Sequence, residues 1–595
     1  MKKRFMKLAA ALLAFCLAVP PAGAATVNQK GDIMIRVGLA SSSKHVPTGE
    51  LEAAHLTNNS GYGSGYRFGF YDDNLNFVEL ARTEVGQDDV AVLKTVNLRY
   101  GRVPSLDKDT YSSSLSSGVQ VGSYHVRIGG NYNSFAEASQ KAASYENGFV
   151  AWIDGAYQVR VGNNTTEERA AATMEGLPGA VGVVGTSSYG LSVVVTGTDR
   201  ILFQYDCGSS GRLAIQPDVT GAGETRTWFS GYKYRGGFQY HRRSGGNITV
   251  VNVLPLEDYL NGVICFEMGR NWPLEALKAQ AMCARTYALK NLNKHKSDGF
   301  DICPSASCQV YYGMGSKPEN GPSEVSMRAV AETAGMVVKY NGRLAETPYS
   351  SSFGGASEDA KYIWGTNTDT EYPYLRGVTD PYEADTDGIN AHSSWTVSYT
   401  SAQLTQRLQS LGLGTGTSVD HLDLTYSTRG NVTQVTVHWA NGKSNTISAG
   451  NIRSRFAVDS IRFTVNGGKA DQPKPGEPSQ DLYINGSKVT GGLDGKYVIA
   501  GSGSVSQVGS DPYAVTGSGS VSALDVGSGN GPGQTTGQPG SGTVTVSGDS
   551  YVFTGGGWGH QIGMSQYGAY AMAKRGFTFD EIIPFYFPGV QITHY

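Results

Sequence analysis

Glu267 stands in an apolar run, with Ile264, Cys265 and Phe266 before it and Met268 after it. Such neighbours are expected to strip water from a carboxyl, which disfavours its charged form and raises its pKa. An acid that keeps its proton near neutral pH can protonate a leaving oxygen, the task of a general acid. The plainer alternative is a solvated surface glutamate, the usual fate of an isolated acid. Two cations follow. Lys278 and Arg285 are seven residues apart, about two helical turns, so a helix would set one above the other. Each also fits the role of a partner in an ordinary ion pair.

The element that must carry these cations is a helix beginning at Trp272-Pro273, because proline in a first turn forfeits no hydrogen bond that the helix would have used. Leu274, Leu277, Ala281, Ala284 and Ala288 recur at steps of three and four and draw a narrow stripe of small apolar residues suited to close packing. Glu267 then lies a short loop ahead of the helix start. Beyond this helix, 79 glycines, 34 tyrosines and only 17% charged residues favour strands and turns over long solvated helices. At 595 residues the chain exceeds one compact core, so several domains are expected.

Residues 1–24 combine a basic start, an apolar run from Leu8 to Val19, a Pro pair and Ala22-Gly23-Ala24. This is the pattern of a secretory signal cleaved after Ala24. The run is shorter than the roughly 20 residues a spanning helix needs, so an exported product is expected, with membrane contact only if the signal stays attached. A formal net charge of −3 gives no electrostatic ground for nucleic-acid binding. Cys207, Cys265, Cys283, Cys303 and Cys308 remain after cleavage, an odd number that no complete disulfide framework can use.

Residues 28–118 alternate apolar and polar residues in short runs such as "IMIRVGLA" and "RFGFYDD" and read as a β-rich region. From 122 to 198 the pattern becomes strand "SYHVRIGG", helix "SFAEASQKAASY", hairpin "GFVAWIDG" and "AYQVRVGN", helix "TTEERAAATMEG" and strand "GLSVVVTG". This β-α-β-β-α-β order, with the paired phrases "YHVRIGGNYNSFAEA" and "YQVRVGNNTTEERAA", resembles the SPOR domain. The resemblance implies a small α+β module that binds peptide-free glycan strands; an unrelated ferredoxin-like module is the alternative. Residues 467–549 are rich in Gly, Ser, Pro and Asp, repeat "GSGSVS" at Gly501 and Gly517, and read as a flexible, partly β insertion. It divides a main body at 207–466 from its C-terminal part at 550–595.

The main body carries "YKYRGGFQYHRRSGGNITVVNVLPLEDYLNGVICFEMGRNWPLEALKAQAMCARTYAL", then "DICPSASCQVYYG", "SSSFGGASEDAKYIWG", "NIRSRF" and, after the insertion, "GWGHQIGMSQYGAYAMAKRG". Over about Trp228–Asn466 and Tyr551–Ile592 it resembles the stage II sporulation protein D (SpoIID/LytB) family. The resemblance implies a multidomain α+β, β-rich fold with a packed central helix. It also implies lytic transglycosylase action on peptide-free peptidoglycan strands, cut between N-acetylmuramic acid and N-acetylglucosamine to leave an anhydro sugar. Glu267 matches the Glu of the family's "EM" motif, the catalytic acid, and Lys278 and Arg285 match its "EALKAQA" and "ART" phrases, either holding sugar substituents or tuning the acid. One carboxyl suffices, because the muramic acid's own hydroxyl attacks the anomeric carbon and no second acid has to activate water.

Trp558, His560 and Gln566 in the last block offer an aromatic and amide surface suited to sugars. Gln309, Tyr311 and Ser352 fall on matching phrases as further substrate-binding candidates. The alternative for His560 is a structural histidine that fixes a turn, and for the aromatics it is core packing. No cofactor is expected. Some family members carry His before the second Cys of the "CQVY" block and bind zinc there; here that residue is Ser307, so no metal site is expected and Cys303 and Cys308 remain a local disulfide or free thiols. Two further departures are His560-Gln561 in place of "GHG" and Ser352-Phe353-Gly354-Gly355 in place of "SSGG".

Two functional readings follow. The first is an exported, wall-degrading lytic transglycosylase of sporulation or cell-wall remodelling, held on denuded strands by its SPOR-like module. The second is a non-catalytic peptidoglycan-binding protein or amidase enhancer, with a cell-wall amidase as partner. Hydrolysis by water would need a second acid, and none of Glu257, Asp258 and Glu275 is assignable from sequence.

Overall fold

The computed structural model describes residues 25–58, 64–218, 225–468 and 542–595, together with the backbone of six short strands between 482 and 523. The expected signal at 1–24 and most of the expected insertion lie outside the described residues. The architecture is α+β and β-rich, with several sheets and more than one apolar core. Among the described residues no helix is long and apolar enough to cross a membrane.

The alternating run "IMIRVGLA" forms strand Ile33–Ala40, which pairs antiparallel with Ile248–Pro255. The sheet continues through Gly237–Arg242, Leu213–Pro217, Tyr66–Tyr71 and Phe77–Arg82. Ile248–Pro255 is buried along all but its last residue, as a near-continuous apolar run requires when both faces of a strand are covered. Strands from 28–118 and from the main body are therefore neighbours in one sheet.

Residues 124–184 supply strand Tyr124–Tyr132, helix Phe135–Ala142, hairpin strands Gly148–Ile153 and Ala156–Asn164, helix Glu167–Glu175 and strand Ala180–Val184. Ser134 and Thr166 cap the two helices by accepting the N–H of Glu137 and Arg169. The closing strand differs from the sequence reading. Ala180–Val184 pairs with Tyr124–Tyr132, whereas Leu191–Val195 lies between Ile201–Asp206 and Asp89–Lys94. Both are short apolar runs, but the more apolar Leu191–Val195 suits the buried middle of a sheet and Ala180–Val184, with Gly182 and partial exposure, suits its edge. Gly148–Ile153 also pairs in parallel with Ile201–Asp206, so these four strands are continued by six more and form no distinct module.

A second core gathers Leu404, Leu422, Val435, Ile452, Phe456 and Phe553 beneath two small sheets. One sheet is built from Trp395–Thr400, Ser550–Gly555 and Phe463–Val465; the other runs Ser444–Ser448, Val432–Trp439, Val419–Tyr426, Thr543–Ser547. Thr543–Ser547 was expected within the flexible insertion, but it pairs with Val419–Tyr426 and places Val546 in that core. Inside the insertion, Leu482–Ile484 pairs with Ser487–Val489, Tyr497–Ile499 with Val505–Gln507, and Tyr513–Val515 with Val521–Ala523.

The helix expected after Pro273 runs Leu274–Lys290. It is buried on nearly every side rather than along a narrow stripe, with Gln280, Arg285 and Thr286 enclosed among its alanines. Helices Leu256–Glu267, Glu324–Glu332, Gln566–Lys574 and Phe579–Tyr586 and strand Met336–Tyr340 pack around it. Small side chains at Ala279, Ala281, Ala284 and Ala288 let these neighbours come close from several directions.

Candidate functional site

Glu267 is the last residue of helix Leu256–Glu267, and the turn from Met268 to Pro273 leads into the next helix. Its Oε1 accepts the Val310 N–H at 2.8 Å. Burial raises its pKa above the usual carboxylate range, against the opposing pull of the Val310 N–H and of the Gln566 and Tyr349 side chains. The carbonyl end of a helix also opposes a negative charge. The residue as a whole keeps partial solvent contact, while its carboxyl is largely buried.

The groups around it come from distant blocks. Gln309 donates to the Tyr349 hydroxyl at 3.0 Å and accepts from the Tyr259 hydroxyl at 2.9 Å. The Gln566 amide lies 3.4 Å from that of Gln280. The structure thus brings Glu267, Gln309 and Gln566 together around Tyr349. Sequence reasoning passed over Tyr349, which stands immediately before the block "SSSFGGASEDAKYIWG".

Both cations are engaged elsewhere. Lys278 bridges Glu275 at 2.9 Å and Glu332 at 2.7 Å and lies over the Phe579 ring. Arg285, 1% exposed, is clamped by Glu257 through bonds of 2.8 and 2.7 Å and donates to the carbonyls of Val330 and Met336. The ion-pair alternative describes their contacts. The possible second acids are likewise paired, Glu257 with Arg285, Glu275 with Lys278 and Asp258 with Arg235.

Tyr311 is a core residue, its hydroxyl donating to Asn252 at 2.7 Å and its ring packed on Tyr259 and Tyr234. Ser352 is buried and exchanges backbone hydrogen bonds with Trp558, whose N–H also reaches the Ser352 hydroxyl at 3.0 Å. Trp558 itself is 43% exposed, with its ring 4.1 Å from that of His392. His560 donates from Nε2 to the Tyr349 carbonyl at 3.0 Å and accepts the Ile562 N–H on Nδ1 at 3.1 Å. Burial holds its pKa down to about 4, so it is a neutral, turn-fixing side chain.

A further acid was not singled out in the sequence. Glu383 accepts from the N–H groups of Phe353 and Gly354 at 2.8 and 2.9 Å and from the Ser565 hydroxyl at 3.1 Å, joining the "SSFGG" and "GMSQYG" phrases. Burial and the neighbouring Asp380 push its pKa up to about 7. Its signal in "DPYEAD" is a lone acid in an acidic loop, which no spacing rule marks.

The five cysteines of the described chain are unbridged thiols. Cys308 lies 3.4 Å from His295 Nε2, and one ligand atom each from His295, Cys303 and Cys308 falls within 4.8 Å of the others. Two thiols and an imidazole are a donor set that fits zinc, and an ion there would tie the Cys303–Cys308 loop to the His295 turn. Sequence reasoning found only the two cysteines, because His295 reaches them from a turn outside their block.

The sequence model of a family described as SpoIID, stage II sporulation protein, matches residues 244–340, the span that holds both central helices and the Cys303–Cys308 loop. The chain is 29% identical over 346 residues to the amidase enhancer of Bacillus subtilis (strain 168), covering 56% of this chain and 40% of that protein. It is 26% identical over 357 residues to stage II sporulation protein D of the same organism, covering 58% of this chain and 76% of that one. A stage II sporulation protein D of Bacillus amyloliquefaciens is 30% identical over 147 residues, covering 23% of this chain and 41% of that protein. The alignment thus spans well under half of the amidase enhancer's length. Over part of its length, this chain is homologous to the SpoIID/LytB family.

Proposed function

We propose that the chain is an exported cell-wall protein that holds peptidoglycan glycan strands and assists a wall amidase. The alignment with the amidase enhancer over 346 residues carries this reading. The internal pairing of Lys278 and Arg285 agrees with it, since neither cation is spare for catalysis. The reading is tested by adding the purified protein to isolated wall sacculi and an N-acetylmuramoyl-alanine amidase and following peptide release. Faster release, retained in Glu267→Gln, is expected. Unchanged release together with no retention on sacculi overturns the reading. Residues 122–198 are proposed to contribute SPOR-like strand binding, on the strength of their element order.

Glu267 supports a second reading, lytic transglycosylase action on peptide-free strands. A largely buried carboxyl with a raised pKa is suited to protonate the glycosidic oxygen as its bond to the anomeric carbon breaks. The muramic acid hydroxyl then attacks that carbon and returns its proton to Glu267, closing the anhydro ring. In this reading Gln309, Tyr349 and Gln566 position the acid, Trp558 meets a sugar face, and Lys278 and Arg285 frame the helix. Mass analysis of digested glycan strands tests it: anhydro ends that vanish with Glu267→Gln support it, and their absence with the unaltered protein removes it.

A further inference from the structure

The four-stranded sheet has one buried face, carrying Leu422, Leu424, Val435 and Val437, and one outer face, carrying His421, Asp423, Thr436 and His438. Strand alternation dictates this division. His421 pairs directly opposite His438 across the two strands, and their rings stack at 4.1 Å and 8°. His438 Nε2 lies 2.8 Å from Asp423 Oδ2, and one ligand atom each from His421, Asp423 and His438 falls within 4.8 Å of the others. We propose that His421, Asp423 and His438 form a binding site for a divalent transition-metal ion of the zinc class.

Groups around the three support the assignment. Asp420 Oδ2 accepts from His421 Nδ1 at 2.7 Å, which orients the ring and leaves Nε2 to ligate, the carboxylate–histidine arrangement typical of metal sites. The Thr545 hydroxyl donates to Asp423 Oδ1 and leaves Oδ2 on the side of His438. Two imidazoles and one carboxylate favour zinc and its neighbours over calcium or magnesium, which take oxygen ligands. Three protein ligands leave at least one coordination position open to solvent. Thr545 belongs to strand Thr543–Ser547, near the end of the segment read as an insertion, so an ion here would brace the sheet where the chain returns to it. This site shares no residue with the Glu267 surroundings or the Cys303–Cys308 loop.

The test uses the full-length chain carrying Cys303→Ser and Cys308→Ser, which removes the thiol set. Equilibrium dialysis against zinc followed by elemental analysis is expected to give one ion per chain. Cobalt substitution is expected to show visible ligand-field bands without thiolate charge transfer. His421→Ala and His438→Ala each should weaken zinc binding at least tenfold, and Asp420→Asn by about tenfold through loss of the orienting carboxylate. Because the three side chains lie on the solvent face, the metal-free variants are expected to melt with the parent, which circular dichroism checks. No zinc above nonspecific uptake in the parent, or unchanged affinity in the His421→Ala/His438→Ala double variant, overturns the proposal.

Discussion

Gln561 donates its side-chain N–H to the carbonyl of Phe353 at 2.6 Å. Both residues stand where this sequence departs from the phrasing of the family it resembles, so the two departures touch. Gln561 has φ of 62°, in the left-handed region that glycine occupies freely. The fully buried side chain also donates to the Ala356 carbonyl at 3.2 Å.

Replacing Gln561 by glycine therefore sets two effects against each other. Backbone relief is worth about 1–2 kcal/mol, while an unmade buried hydrogen bond costs about 1–3 kcal/mol. Two bonds are lost, so Gln561→Gly is expected to be destabilising by about 2–3 kcal/mol in urea denaturation. A midpoint equal to that of the unaltered protein would show that the bonds do no more than offset the backbone relief.

Arg285 presents a sharper case. Removing Glu257 leaves a buried guanidinium with only neutral acceptors, so Glu257→Ala is expected to destabilise by about 3–5 kcal/mol. Arg285→Lys cannot reproduce the two-pronged contact and should also lose stability. Thermal melts of both variants decide the matter. Small changes in both would mean that the pair is dispensable.

The contribution of Glu383 to stability should fall as pH rises. Glu383 moves from the usual 4.5 to about 7 in the folded chain, and the proton is therefore bound more tightly folded than unfolded. Its contribution is fully present below about 4.5 and is lost as pH rises through about 7. Burial raises Asp380 and Glu267 in the same direction, while the buried Arg462 faces the Glu383 charge. Burial holds His55, His125, His241 and His560 down to about 4, 4, 3 and 4, so they add stability as pH rises to about 6.5. Melting temperatures are therefore compared from pH 6.5 to 8 at fixed ionic strength, where a decline is expected, shallower in Glu383→Gln. A flat profile in the unaltered protein contradicts the assignment.

Trp558 offers a separable test of glycan contact. Being 43% exposed, it can be replaced by alanine with a stability change expected within about 0.5 kcal/mol. If its ring meets sugars, retention on peptide-free wall should weaken by about tenfold, the order expected for truncating an aromatic anchor. Equal retention would leave Trp558 as packing for His392.

Deleting 122–198 would not be a clean test of strand binding. The cut removes Gly148–Ile153 and Leu191–Val195, so Ile201–Asp206 loses both its neighbours and Asp89–Lys94 loses one, which exposes three unpaired strand edges. The truncated chain is expected to aggregate, as light scattering would reveal. A soluble, monomeric product would show that the segment folds apart from the rest of the sheet.

Short-range chemistry was the legible part of the sequence. Helix Leu274–Lys290, the two capped helices and the hairpin between them follow from proline, cap and periodicity signals that act within a few residues. Burial of Glu267 was anticipated from Cys265, Phe266 and Met268, yet its polar contacts come from Val310, Tyr349 and Gln566. The closing strand was misplaced because two apolar runs of similar length compete and only long-range pairing chooses between them. Glu383 was missed for the same reason, since Ser565 lies far away in the chain, and His295 because it stands in a turn outside the cysteine block.

Helix Leu274–Lys290 acquires two of its covers, Gln566–Lys574 and Phe579–Tyr586, only after the long excursion that follows Val465. A nascent chain halted before Gln566 thus leaves this helix without two of its covers and one flank wetted. Closure of this interior therefore waits for the segment that returns after the excursion, which makes a stop within the excursion self-announcing to any protease that searches for exposed grease.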